Sequence, residues 1–120
     1  MKKLLIIDDE AATVEMLSMF LQISGYSTLE AYAGDEGLVL AKLESPSLII
    51  SDLMMPDIDG IELCRRVREH EALKDLPIII ISARTDSTVI EQAMANGANA
   101  YLTKPIDLSQ LIGEIERLLT

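Results

Sequence analysis

Three short apolar runs, Leu4-Leu5-Ile6-Ile7, Leu48-Ile49-Ile50 and Ile78-Ile79-Ile80-Ile81, recur along the chain, and each gives way to polar residues. Runs this brief and this rich in β-branched residues predict strands buried on both faces. Such strands need helices above and below them, and the intervening segments carry helical patterns. The first helix is expected from about Ala11 to Ser24, with Val14, Leu17 and Leu21 on its inner stripe and Gly25 at its C-terminal end. Tyr26 to Ala31 reads as a short strand, edge-like because polar residues interrupt it.

Gly34-Asp35-Glu36 opens a second helix, which stops before Ser45-Pro46-Ser47. Asp59-Gly60-Ile61-Glu62 predicts a capping box for a third helix, Ile61 to about Glu69. Asp86 is placed to cap a fourth, roughly Ser87 to Ala95, that ends at Asn96-Gly97. Ala100-Tyr101-Leu102 is a fifth strand. Leu108, Leu111, Ile112, Ile115, Leu118 and Leu119 then form the cleanest helical stripe in the chain, with Asp107 at its cap. Five strands alternating with five helices predict one α/β domain over residues 1–120, a doubly wound parallel sheet. Right-handed crossovers favour the strand order 2-1-3-4-5.

Composition excludes several functions. Ten Lys and Arg against twenty Asp and Glu give a formal net charge of -10, which opposes direct nucleic-acid binding, since that requires a cationic face. No apolar run approaches a membrane span and no signal-peptide pattern is seen, so no membrane association is expected. The single Cys64 cannot form an internal disulfide; it fits a cytoplasmic setting and a buried place in the third helix.

The predicted order brings distant acids together. Asp8 and Asp9 follow the first strand, and Asp52 ends the third, beside it at the switch point where such sheets bind ligands. Taken alone, Asp52 reads equally well as a turn or cap residue and as a nucleophile or metal ligand. Asp8 and Asp9 are costly side by side, because each disfavours the other's charge. Ser82 ends the fourth strand and Lys104 follows the fifth, at the same edge. Three carboxylates in one crevice call for a hard divalent cation, and few all-oxygen ligands favour Mg²⁺ over Ca²⁺. With Lys104 to neutralise charge, Ser82 to donate a hydrogen bond and Asp52 to attack in line, the set suits phosphoryl transfer.

Taken in order, Ile7-Asp8-Asp9-Glu10, Asp52-Leu53-Met54-Met55-Pro56-Asp57-Ile58-Asp59-Gly60, Ser82-Ala83, Gly97-Ala98, Tyr101 and Lys104-Pro105 resemble the receiver domains of two-component response regulators. The resemblance covers nearly the whole chain and implies a flavodoxin-like fold. It implies that Asp52 accepts a phosphoryl group from a phosphohistidine on a sensor histidine kinase or a phosphotransfer protein. It implies Mg²⁺ (Mn²⁺ substituting) on Asp9, Asp52 and the Met54 backbone carbonyl, with Asp8 acting through water. Ser82 and Lys104 would bind the phosphoryl oxygens. Ser82 and Tyr101 would form a switch that reshapes the face of helix 4, strand 5 and helix 5 for a downstream effector protein or domain. Such a domain assists its own phosphorylation and slow dephosphorylation and is not a multiple-turnover enzyme.

The chain departs from that pattern at Ile106, where an aromatic is common, and at Asn99-Ala100, where an acidic pair is common. Helix 4 contains no Lys or Arg, so the charge pairs of the winged-helix subfamily's dimer are not expected. Other motifs fail. Asp57-Ile58-Asp59-Gly60 is similar to a haloacid-dehalogenase motif, but Pro56 and the loop separate Asp57 from the strand. Met55 and Arg66 occupy the end positions of a would-be EF-hand. His70 reads as a solvated helix residue, and no P-loop is present. A Mg²⁺-dependent phosphatase and a phosphorylation-independent binding module remain as alternatives.

Overall fold

A computed structural model describes all 120 residues, Met1–Thr120. The strands are β1 (Lys3–Ile7), β2 (Ser27–Ala31), β3 (Leu48–Asp52), β4 (Ile78–Ser82) and β5 (Ala100–Thr103). They alternate with α1 (Ala11–Ile23), α2 (Gly34–Glu44), α3 (Gly60–Glu69), α4 (Ser87–Ala95) and α5 (Leu108–Leu119). All four pairings are parallel and the order is β2-β1-β3-β4-β5, as the alternation predicts.

Alternation along each strand divides the core into two layers. Leu5, Ile7, Ile49, Ile78 and Ile80 face one side, where Leu38 and Ala41 of α2, Leu63, Cys64 and Val67 of α3 and Ala93 of α4 cover them. Leu4, Ile6, Leu48, Ile50, Ile79 and Ile81 face the other, under Val14, Leu17 and Leu21 of α1 and Leu111 and Ile115 of α5. Each fully buried Leu or Ile contributes about 1.5–3 kcal/mol, so the three apolar runs dominate the stability of the sheet. Cys64 is fully buried, and burial pushes its thiol up to about 11, which leaves it an inert core residue.

The helix ends refine the expected boundaries. Gly25 adopts φ +100°, and Gly25 and Tyr26 donate their N–H groups to Gln22 and Leu21. This closure spends the Tyr26 N–H on α1, so β2 starts one residue later than the pattern suggests. Asp107 caps α5 by accepting the Gln110 N–H. Asp59 accepts the Glu62 N–H in the same way, but Glu62 turns its own carboxylate to Arg65 and Arg66, so only half of the capping box forms. Asp86 sits at the N-cap of α4 without capping it, because its carboxylate is paired with Arg84.

One arginine ties the lower end of the α3/α4 layer. Arg68, near the end of α3, donates to the carbonyls of Lys74, Leu76 and Gly97 and to the side-chain oxygen of Asn99. The same Asn99 oxygen accepts the Ile78 N–H at the start of β4. The segment before β4, the C-terminal end of α4 and the start of β5 therefore share one guanidinium, whose five fixed donors suit carbonyls arranged in a plane.

Candidate functional site

Two strand ends bring the acids together. Asp8 is the first residue after β1, and its backbone N–H is held by the Ala31 carbonyl at the end of β2. Asp52 is the last residue of β3, and Asp9 lies beside Asp8 on the solvent side. Asp8, Asp9 and Asp52 each present a carboxylate oxygen, and these oxygens all lie within 4.8 Å of one another. None of the three is used as a helix cap. Glu10 occupies the N-cap of α1 with no side-chain cap bond, and Asp8 instead accepts the Glu10 N–H at 2.9 Å.

Lys104, leaving β5, supplies the one cation of the crevice. Its ammonium lies 3.3 Å from Asp52, 3.7 Å from Asp8 and 3.8 Å from Glu10. Burial works to deprotonate it, but the carboxylates of Asp52 and Asp8 outweigh burial and hold the ammonium above its usual value. Burial pushes the Asp52 carboxyl up, and the opposing charge of Lys104 does not cancel that effect. Burial also raises Asp8, with Asp52 adding to it against the Glu10 N–H. The Asp52 side chain is only 8% exposed, more enclosed than its place at a strand end suggests. One ammonium among several carboxylates leaves net negative charge in a partly dry crevice. All-oxygen donors of this kind fit a small hard dication.

Of the other predicted residues, Ser82 lies at the same edge, while Tyr101 sits further back on β5, in register with Ile80. Ser82 ends β4, and its hydroxyl oxygen accepts the Arg84 N–H at 3.0 Å, so its proton is not used in that bond. The Tyr101 hydroxyl donates to the Arg84 carbonyl at 2.7 Å, while its ring packs partly into the α2–α4 layer. Ser82 and Tyr101 thus hold the two sides of one residue. The Lys104–Pro105 peptide bond is cis. His70 is half-buried at the C-terminal end of α3, away from this edge, and its Nδ1 accepts the Ala72 N–H.

The loop from β3 to α3 is fixed at several points. Leu53 donates its N–H to Ile81 and accepts the Gly60 N–H at 2.8 Å. A Cβ on Gly60 would stand 2.7 Å from the Asp52 carbonyl, so only glycine lets α3 begin this close to the acid. Met54 is exposed on this loop, and its carbonyl accepts no backbone hydrogen bond. In the sequence Asp57 has no role beyond its place in the Asp52–Gly60 stretch and in a failed motif, yet it reaches across to α2. Its two carboxylate oxygens accept the Gly34 N–H at 3.1 Å and the Asp35 N–H at 2.7 Å. Burial is the largest single influence on the Asp57 carboxyl and works to raise it, but the backbone donors together outweigh burial and hold it below the usual carboxylate range. Glu10, now seen beside Lys104, also escaped the sequence reading. Its place in the run Asp8-Asp9-Glu10 was the only available signal.

Comparisons with known proteins agree with the geometry. A family profile described as "Response regulator receiver domain" matches residues 4–116. The chain is 36% identical over 119 residues to the DNA-binding dual master transcriptional regulator RpaA of Synechocystis, covering 99% of this chain and 49% of that protein. It is 36% identical over 118 residues to the phosphate regulon transcriptional regulatory protein PhoB of Pseudomonas aeruginosa, covering 98% of this chain and 52% of that one. The chain thus spans about half the length of the curated relatives it matches. Among solved structures, the chemotaxis response regulator CheY4 of Vibrio cholerae superposes with a TM-score of 0.92 at 33% identity, covering 99% of both chains.

Proposed function

The chain belongs to the response regulator receiver domain family, and on that premise we propose that Asp52 accepts a phosphoryl group from the phosphohistidine of a sensor histidine kinase or phosphotransfer protein. Residues 1–120 act in this reading as one receiver domain. The observation that carries it is the convergence of Asp8, Asp9 and Asp52 with Lys104 at 3.3 Å from the acceptor carboxylate.

An Asp52 oxygen attacks phosphorus in line with the scissile P–N bond. That bond breaks with its electron pair going to the imidazole, and an acyl phosphate remains on Asp52. Mg²⁺ would be held by Asp9, Asp52 and the Met54 carbonyl, with Asp8 through water; when bound it neutralises the oxygens of the transferring group. Lys104 moves from the carboxylates to a phosphoryl oxygen, a shift within one ion-pair network. Ser82 donates its unused proton to another. When that bond draws the hydroxyl inward, Arg84 loses its partner and the Tyr101 ring can follow. The face formed by α4, β5 and α5 then changes shape for an effector protein or a following domain. One or two charge-assisted hydrogen bonds of about 1.5–3 kcal/mol each are enough to shift such an equilibrium tenfold or more.

Acetyl phosphate with Mg²⁺ tests the reading. Intact-mass analysis should show one phosphoryl group that hydroxylamine removes. No adduct should form without the metal or on Asp52→Asn. Acid-stable label on that variant, or sustained turnover of phosphate esters, would overturn it.

A further inference from the structure

A connection between two loops bears on the acidic crevice from outside it. In the sheet order β2-β1-β3, the loop after β3 and the helix after β2 lie on either side of the end of β1. Asp57 spans that interval on the α2/α3 side, joining the β3–α3 loop to the first two N–H groups of α2. The N-cap residue of α2 is Ala33, which has no side chain able to do this. A second contact reinforces the span: Gly34 is buried against Ile58, and a Cβ there would come within 2.8 Å of the Ile58 carbonyl as well as overlapping its side chain. The segment between the fixed end of β3 and this clamp is Met54-Met55-Pro56. Without the clamp, backbone hydrogen bonds hold this segment only at Leu53 and Gly60, and the buried Met55 side chain anchors it without fixing the direction of the Met54 carbonyl.

We propose that Asp57 is a positioning residue for divalent-cation binding: by capping α2 from across the crevice, it holds the β3–α3 loop where the Met54 carbonyl completes the oxygen set of Asp9 and Asp52. The inference rests on the receiver reading above. Asp57 does not touch the cation; it fixes the backbone that does, and ordering that backbone in advance removes an entropic cost from binding.

Calorimetric titration of the full chain with Mg²⁺ tests this. Asp57→Ala should bind Mg²⁺ five- to tenfold more weakly than wild type, and Asp57→Asn, which keeps one acceptor oxygen, should fall between them. In metal-free protein, hydrogen exchange of the Gly34 and Asp35 amides should accelerate in the same order. Cys64→Ala, which loosens the packing of α3 without removing any hydrogen bond of the loop, should lower the melting temperature and leave Mg²⁺ affinity within twofold of wild type. The proposal is overturned if Asp57→Ala also stays within twofold, or if Cys64→Ala loses as much affinity as Asp57→Ala does. Should Asp57→Ala not fold, the Asn variant decides by the same twofold limit. Wild-type protein that bound no Mg²⁺ would overturn the receiver chemistry itself and the clamp with it.

Discussion

Two loops leave adjacent strands at the same edge of the sheet and are held in different ways. The β3–α3 loop is fixed by backbone hydrogen bonds at Leu53 and Gly60, by the Asp59 cap and by the Asp57 clamp. The β4–α4 loop is held by the Ser82 and Tyr101 hydroxyls on Arg84 and by the exposed Arg84–Asp86 pair. The first set satisfies helix and strand ends that would otherwise lack partners. The second consists of single hydroxyl bonds and a solvated ion pair, which are inexpensive to exchange. A loop that holds ligands benefits from the first kind of restraint, and a loop that must respond to them from the second.

The largest effect should come from forcing the fixed loop apart. In Gly60→Ala the new methyl group meets the Asp52 carbonyl, the Ile80 side chain and the Leu53 backbone at once. Overpacking of this kind costs about 1–3 kcal/mol, which is roughly 5–15 °C in melting temperature for a domain of this size. A melting temperature unchanged by that substitution would mean the loop is not fixed.

A smaller effect should follow pH in metal-free protein, with opposite signs for the crevice and the clamp. The Asp52 and Asp8 carboxyls are raised above 3.8, so in the window just above that value the folded state holds more protons than the unfolded one. Their contribution to stability therefore falls as pH rises through that window. Asp57 is lowered below 3.8; its contribution is present above that value and is lost as pH falls below it. Melting curves across the acid range should show Asp52→Asn gaining on wild type as pH rises above about 4, and Asp57→Asn losing its deficit as pH drops below it. Parallel curves for all three proteins would remove the distinction.

The smallest effect belongs to the yielding loop. Asp86→Ala breaks only an exposed pair and should leave the melting temperature unchanged within error. Exchange of the Arg84 amide in the β4–α4 loop should rise, while the Gly34 amide stays protected. A melting-temperature loss as large as that of Gly60→Ala would erase the contrast between the loops.

The fold was legible because its signals are local. Each apolar run names a strand, and each cap or glycine marks a helix end near its own position in the chain. The acidic cluster was legible as well, because strand order converts three strand-end positions into one place. The clamp was not. Asp57 bonds to residues 22 and 23 positions earlier, and no local pattern separates an aspartate that caps its own turn from one that caps another helix. Asp86 errs in the other direction: its position predicts a cap, but Arg84 two residues away takes the carboxylate. The outer side of α1 also escaped notice. Met16, Met19 and Ile23 stand exposed opposite the buried stripe, and a stripe that predicts what is buried says nothing about an apolar residue left outside.

The guanidinium of Arg68 turns α4 into a lever. The helix has nine residues, a rod about 13 Å long at 1.5 Å per residue, and its C-terminal end is fastened through Gly97 to Arg68. A rod fastened at one end rotates rather than slides. A turn of about 10° about that fastening would carry Ser87, ten residues away, by roughly 2.6 Å and Met94, three residues away, by roughly 0.8 Å on the same geometry. Displacement grows with distance from the fulcrum, so a partner seated near Ser87 would read nearly the full stroke, and one seated near Met94 about a third of it.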